Sequence, residues 1–487
     1  MLINHILEAV IFIVVFCVVI MITRSYCVRS KQLNIENKNE ITLDIESIVN
    51  RLSKVIQFRT ISYKDSSRVD NEEFERLSTY IKESFPMLHS NLEVENIGEH
   101  SLLYMWKGTS NSLKPMLLTA HLDVVPVEPG TENDWKYPAF SGAVREGYIW
   151  GRGTIDDKVN VMAILESIEY LINKNFTPQR TVYIAFGEDE EIEGKKGAGR
   201  IAKLLKERNI ELDFIVDEGG AVIEGALPGI MEPVALVGTS EKGYVCFELT
   251  AQGNEGHSSM PIGETAIGIL SKAVAKIEKK SPPSRISGST RQLIEFLGPE
   301  TKFLYKLLFT NLWITKKIIC RVLSKSPITN ATIRTTTVVT MFNGGVKANV
   351  IPRKAKAIIN CRILPGDNID AIKEYLRKII NDSRVNITVM EDRFEASNVS
   401  DVNEEGFKKL QKTIMQIYPR AIISPFLAMG ASDSRHYKQI SKNIYRFSPF
   451  LGTLKDIQRA HSTNERISIE NYKNAVRFYI QFIINVQ

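Results

Sequence analysis

At 487 residues the chain is longer than one hydrophobic core usually serves, so two or three domains are expected. The composition, 44% hydrophobic and 24% charged, is that of an ordinary globular protein, and the net charge of +6 is spread too evenly to announce a nucleic-acid surface. The five cysteines stand apart without a Cys-x-x-Cys pair, so neither a disulfide scaffold nor a zinc knuckle is suggested, and the redox compartment stays undecided.

Ala9 to Ile22 is an uninterrupted apolar run of 14 residues. A membrane span needs about 20. Including Ile6, Leu7, Glu8 and Thr23 lengthens the run at the cost of one acidic residue. A cleavable signal peptide is the rival reading, but a basic leading segment and a clear small-x-small cleavage site are both missing. We therefore expect residues 1–23 to be a single uncleaved membrane anchor, with a secreted or lumenal protein as the alternative if the segment is removed. Arg24, Arg29 and Lys31 follow it and favour a cytoplasmic side for what comes next, a statistical rule that leaves the side of the membrane open. Five Asn-x-Ser/Thr sequons do not settle the compartment.

Residues 24–44 read as a polar linker. From 45 to 245 helices alternate with short apolar strands. Pro115–Ala120 is a buried strand ending at His121, Thr181–Phe186 a second ending at an acidic cluster, and Leu212–Val216 a third ending at Asp217. The spacing of Val161, Ile164, Leu165 and Ile168 predicts a helix over 159–171. This pattern predicts an α/β domain with a mostly parallel sheet, whose ligands bind beyond the carboxyl ends of the strands. Residues 246–395 change texture and predict an inserted α+β lid domain, with strands at 244–249, 335–339 and 355–359 and helices at 265–279 and 368–380. Inside it, Phe303–Leu323 is aromatic, aliphatic and basic. It fits a helix pair on a domain core, and it also fits a membrane-facing or greasy-substrate surface. The α/β texture resumes over 396–487, ending in a helix at about 469–484.

Three polar clusters sit at predicted strand ends, the setting of a two-metal hydrolase site. His121-Leu-Asp123 places both side chains on one side of an extended segment, so a histidine could bind metal while the aspartate orients its other ring nitrogen. Asp156-Asp157 lies in a Gly-rich turn before a helix. A helix cap explains one aspartate, and a bridging metal ligand explains why two would be kept together. Glu188-Asp-Glu-Glu191 follows a buried strand. It is either an acidic loop or a ligand paired with a general base.

Six segments together resemble the M20 family of metallopeptidases. They are His121-Leu-Asp-Val-Val-Pro126, Gly151-Arg-Gly-Thr-Ile-Asp-Asp-Lys158, Phe186-Gly-Glu-Asp-Glu-Glu191, Asp217-Glu-Gly219, Gly256-His-Ser-Ser-Met-Pro261 and His461-Ser-Thr-Asn-Glu465. They occur in family order, and the similarity covers nearly all of the chain after residue 45. Trp135, Phe140-Ser-Gly142 and the insertion near 290–325 resemble the branch of carboxypeptidase S and the N-fatty-acyl-amino-acid hydrolase/synthases.

The resemblance implies metal-dependent hydrolysis of an amide bond in a peptide or N-acyl amino acid bearing a free carboxylate. It implies two Zn²⁺ ions per chain, with Co²⁺ or Mn²⁺ as substitutes. His121, Asp156 and Asp217 would hold the first, and Asp156, Glu191 and His461 the second. Glu190 would be the general base and acid, Asp123 the partner of His121, and His257 the group that polarises the scissile carbonyl. Asn349, Arg362, Arg435 and the loop at Gly430 would bind substrate. A cis peptide between Asp156 and Asp157 is also implied. The sequence departs from the pattern at Glu188, where relatives often have histidine. A homodimer fits some members of the family. The rival readings are a membrane-tethered binding protein on an inactive hydrolase fold and a short-peptide dipeptidase.

Overall fold

A computed structural model of the chain describes residues 2–35, 41–226 and 229–487; residues 36–40 of the expected linker lie outside it. The larger unit is built on a ten-stranded mixed sheet. Its centre holds the strands Val182–Gly187, Met116–His121, Ile215–Asp217 and Ile444–Arg446, each parallel to the next. Strands Met116–His121 and Val182–Gly187 are buried at every position, as expected where helices cover both faces of a sheet.

The two-residue alternation of a strand sorts their side chains between two cores. Met116, Leu118, Ile184 and Phe186 join the core under helices Lys158–Asn173 and Ile469–Asn485. Leu117, Tyr183 and Ala185 meet Ile201, Ala202 and Leu205 of helix Ala198–Glu207 on the other side. Each fully buried aliphatic or aromatic side chain contributes about 1.5–3 kcal/mol. A two-sided core of this kind holds the strand ends rigidly, and His121, Gly187 and Asp217 end neighbouring strands at the same edge of the sheet.

The second sheet has four antiparallel strands in the order Thr336–Gly344, Lys354–Ile363, Gly243–Gln252, Val385–Phe394. Alternate residues Val245, Phe247, Leu249 and Ala251 pack under helices Ala266–Lys279 and Ile369–Ile380. The opposite face carries Tyr244, directly across from Arg362 on one side and Phe394 on the other.

The inserted module differs from the expected single block. Helix Gly288–Leu297 leaves the four-stranded sheet and packs on strands Ile422–Ala428 and Val234–Glu241 of the large sheet. Phe296 belongs to the core of the larger unit and Leu297 packs with Ile230 and Val234. Hydrophobic pattern identifies a buried helix face but not which of two sheets buries it. Phe303–Phe309 and Leu312–Leu323 form the expected helix pair. At the N-terminus, Leu2–Cys27 is one continuous helix, longer than the apolar run because Leu2 to Glu8 precede it and Thr23 to Cys27 continue it.

Candidate metal centre and active site

Two groups of ligand-type atoms share Asp156. His121, Asp156 and Glu218 form one; Asp156, Glu191 and His461 form the other, and within each the ligand atoms lie within 4.8 Å of one another. His121 Nε2 is 2.9 Å from Asp156 Oδ1 and 3.4 Å from Glu218 Oε1. His461 Nε2 is 3.0 Å from Asp156 Oδ2 and 3.0 Å from Glu191 Oε1. Each carboxylate oxygen of Asp156 thus faces a different histidine.

The buried Asp123 organises one side of this centre. His121 Nδ1 donates to the Asp123 carbonyl at 3.0 Å and lies 3.3 Å from its Oδ1, which leaves the Nε2 lone pair for a metal. Asp123 Oδ1 also accepts the Glu190 amide at 3.1 Å, and Oδ2 accepts the Glu191 amide at 3.2 Å and the Ser62 hydroxyl at 2.6 Å. One side chain therefore sets both the histidine and the turn that carries Glu190 and Glu191.

Glu465 fixes the other side. Its Oε1 accepts backbone N–H groups of Gly153, Ile155 and Asp156 at 3.0, 2.8 and 3.3 Å. Its Oε2 accepts from Arg152 at 2.6 Å, and Arg152 also donates to the His461 carbonyl at 3.2 Å. His461 has a positive φ of 64°, uncommon outside glycine, in a loop held by these bonds. The Asp156–Asp157 peptide bond is cis, as the resemblance implied.

Asp217 does not join the first group. Its Oδ1 accepts the Glu218 amide at 2.9 Å and its Oδ2 the Ser434 amide at 2.9 Å. Neighbours along an extended backbone point to opposite sides, so the carboxylate beside His121 is that of Glu218. The Asp-Glu-Gly motif contained the signal, and choosing between its two acids required the direction of the strand end.

The charges are those of a site built for cations. Burial pushes the Glu218 carboxyl up to about 8, with the Asp156 charge adding to the effect. Burial, then the Glu218, Asp433 and Glu191 charges, holds the Glu190 carboxyl well above its ordinary range. Burial opposes ionisation of Asp156, but hydrogen bonds from His121 and His461 hold it well below the usual range. Bonds to Asp156 and Glu191 raise His461 to about 10. Carboxylates this close and this buried repel one another unless positive charge is supplied. With two histidines presenting Nε2 and Asp156 turned to both, the donor set fits two divalent ions.

A cleft of about 530 Å³ opens over these groups. Asp156, Glu190, Glu191, Glu218 and His461 line it from the larger unit, together with Gly430 and Arg435. Tyr244, Arg362 and Phe394 line it from the four-stranded sheet. The Arg362 guanidinium lies 4.8 Å from the Tyr244 ring centre, and that of Arg435 lies 5.1 Å from the Phe394 ring centre. Arg435 also donates to the carbonyls of Glu193 and Ser432 at 2.5 and 3.0 Å.

His257 and Asn349 are not among the residues lining this cleft. His257 is exposed on a short ribbon with Val350, and the Asn349 carbonyl accepts the Ser258 amide at 3.2 Å. Glu188 turns away from the centre and accepts the His100 amide. Sequence reading missed Glu218, the Arg152–Glu465 pair and the cleft residue Tyr244. Glu218, Arg152 and Glu465 stand inside the motifs that resemble the family, but their roles depend on which way each side chain points. Tyr244 has no residue type or spacing that separates it from an ordinary strand position.

The model of peptidase family M20/M25/M40 matches residues 117–485. The chain belongs to peptidase family M20. It is 44% identical over 448 residues to a probable carboxypeptidase S-like 2 of Dictyostelium discoideum, covering 91% of this chain and 86% of that protein. It is 39% identical over 447 residues to the mouse N-fatty-acyl-amino acid synthase/hydrolase PM20D1, covering 90% and 88%. Among solved structures, an M20 family metallo-carboxypeptidase from Sulfolobus solfataricus shares the fold with a TM-score of 0.63 at 19% identity, over 91% of this chain and 99% of that one. The M20 family is one of metal-dependent peptidases and amidohydrolases, and it includes dinuclear metal-binding peptidases.

Proposed function

We propose that this M20 protein hydrolyses the amide bond of N-acyl amino acids or short peptides that carry a free carboxylate. The observation that carries this reading is the cleft itself. Glu190 lines it beside both ligand groups, while Arg362 and Arg435 enter it from different elements. Zn²⁺ is the expected ion at both positions, held by His121, Asp156 and Glu218 and by Asp156, Glu191 and His461. When bound, such ions would supply Lewis acidity and make a water more readily deprotonated.

Glu190 takes the proton of the attacking water and delivers it to the leaving amine nitrogen. Arg362 and Arg435 select the substrate carboxylate by paired N–H donors. Tyr244 and Phe394 give the apolar part of the substrate a surface to lie on. His257 and Asn349 act only once the inserted domain has moved over the substrate, which also excludes water.

The similarity to an N-fatty-acyl-amino acid hydrolase supports the acyl amino acid as the preferred class. The test is a panel of N-acyl amino acids and dipeptides on the full-length protein and on Glu190→Ala. The variant should lose turnover while holding about two metal ions per chain, the stoichiometry of a paired site. Retained turnover would remove Glu190 from its role. Turnover of dipeptides alone would replace the acyl amino acid by a peptide.

We further propose that the N-terminal helix is a retained membrane anchor. Its side chains stand clear of the protein along most of its length, Phe12 being 71% exposed. Its last turns, by contrast, are fastened to the enzyme. Ser25 is buried against Thr310 at 2.9 Å, and the fully buried Asn311 donates to the Met21 carbonyl at 3.0 Å. Removing the helix would strand these polar groups.

A further inference from the structure

Helices Phe303–Phe309 and Leu312–Leu323 bury one side and expose the other. Leu308, Phe309, Leu312 and Ile319 pack with Ile286, Ile294 and Ile333. On the outer side Leu304 is 66%, Trp313 54% and Val322 57% exposed, alongside Ile314 and Ile318. Scattered exposed apolar residues need no explanation, but a group of this size on one face does.

The same stretch is strongly basic. Lys302, Lys306, Lys316, Lys317, Arg321 and Lys325 lie in it, and no acidic residue occurs between Glu300 and Asp367. Large apolar side chains interleaved with long cations suit the boundary between headgroups and acyl chains. There the apolar groups enter the lipid and the cations reach the phosphates.

The position of the pair decides between a bilayer and other apolar partners. Tyr26 of the N-terminal helix packs on Phe303 with ring centres 5.8 Å apart. Ser25 and Met21 bond to Thr310 and Asn311, which join the two short helices. The exposed face thus begins where the lipid-length helix meets the enzyme, and a membrane crossed by that helix lies against it.

We propose that helices Phe303–Phe309 and Leu312–Leu323 form a docking platform that lies in the surface of an anionic bilayer beside the N-terminal anchor. The inference rests on the anchor reading for its position, and the two are separable by experiment. Cations near an anionic surface are attracted to it, so the contact depends on anionic lipid.

Trp313 is a built-in reporter. The other tryptophans, Trp106, Trp135 and Trp150, are 5%, 7% and 2% exposed. The full-length protein is reconstituted with vesicles of phosphatidylcholine, with and without phosphatidylserine, carrying bromine on the upper acyl chain. Bromine should quench the emission more strongly in the anionic vesicles, and Trp313→Phe should lose that quenching. The combined variant Lys316→Glu, Lys317→Glu, Arg321→Glu should lose the difference between the two compositions. Alkali-resistant flotation with bromine quenching at Trp313 supports platform and anchor together. Alkali-resistant flotation with equal quenching in wild type and Trp313→Phe overturns the platform and leaves the anchor. Flotation reversed by alkali, with Trp313 quenched, supports the platform and overturns the anchor. No flotation overturns both.

Discussion

Arg152 donates to Glu465 at 2.6 Å across 313 positions of sequence, with both side chains almost wholly buried. The pair joins the loop that carries Asp156 to the loop that carries His461. The charges also bind backbone on both sides, so the two loops form one rigid frame around the shared aspartate. Replacing Arg152 with Leu leaves the Glu465 charge buried without its cation, a change that costs about 3–5 kcal/mol in chemical unfolding. Adding Glu465→Gln removes the stranded charge and recovers part of the loss. A double variant as unstable as the single one would show that the buried charge is not the cause.

The two acids of Asp217-Glu218 make opposite predictions. Glu218 faces His121 and Asp156, whereas Asp217 is occupied by two backbone amides. Glu218→Gln should lower the bound metal from about two ions per chain to about one. Asp217→Asn should keep both ions and lower thermal stability, because the Ser434 loop loses a charge-assisted bond. Metal analysis of the purified variants decides, and the reverse pattern would return Asp217 to the ligand set.

His436 makes stability depend on pH away from the centre. Burial lowers its pKa from 6.5 to about 4, with Arg435 acting in the same direction. As pH falls through 6.5 the unfolded chain takes up a proton that the folded protein refuses until about 4. The stability contributed by neutral His436 is therefore complete above 6.5 and lost as pH falls to about 4. Its Nε2 donates to the Glu193 carbonyl at 2.9 Å, a bond that glutamine can replace. His436→Gln should give a flatter melting temperature across this window than the wild type. Identical slopes in the two proteins would rule the histidine out.

Chelation should act on stability as well as on turnover. The paired ligand groups bring buried carboxylates together, and ions that bind only the folded state stabilise it by about 2.7 kcal/mol at a hundredfold excess over Kd. Treatment with chelator should abolish turnover and lower the melting temperature, and Zn²⁺ should restore both. An unchanged melting temperature would mean that the folded centre holds no ion.

Much of the architecture was legible in the chain. The buried runs before His121 and Glu188 became strands within one residue of their expected bounds, and the run before Asp217 became a shorter strand starting three residues later, because a continuous apolar run between helices has few other ways to be buried. The acidic turns stood out because carboxylates collected after such runs require a compensating charge. The four-stranded sheet was legible from its change of texture. The return of Gly288–Leu297 to the large sheet was not, since any apolar surface could have covered that helix.

By itself the sequence determined the α/β class, the inserted sheet, the family and the motifs from which a paired centre could be drawn. The class and the sheet follow from periodicity, the candidate ligands from residue types whose chemistry is local, and the family from the resemblance of six motifs in order. Only tertiary structure decided that Glu218 rather than Asp217 faces His121, that Glu465 ties two distant loops together, and that His257 stands outside the cleft. Such choices depend on which way a side chain leaves its strand and on partners hundreds of positions away. Local pattern does not carry that information.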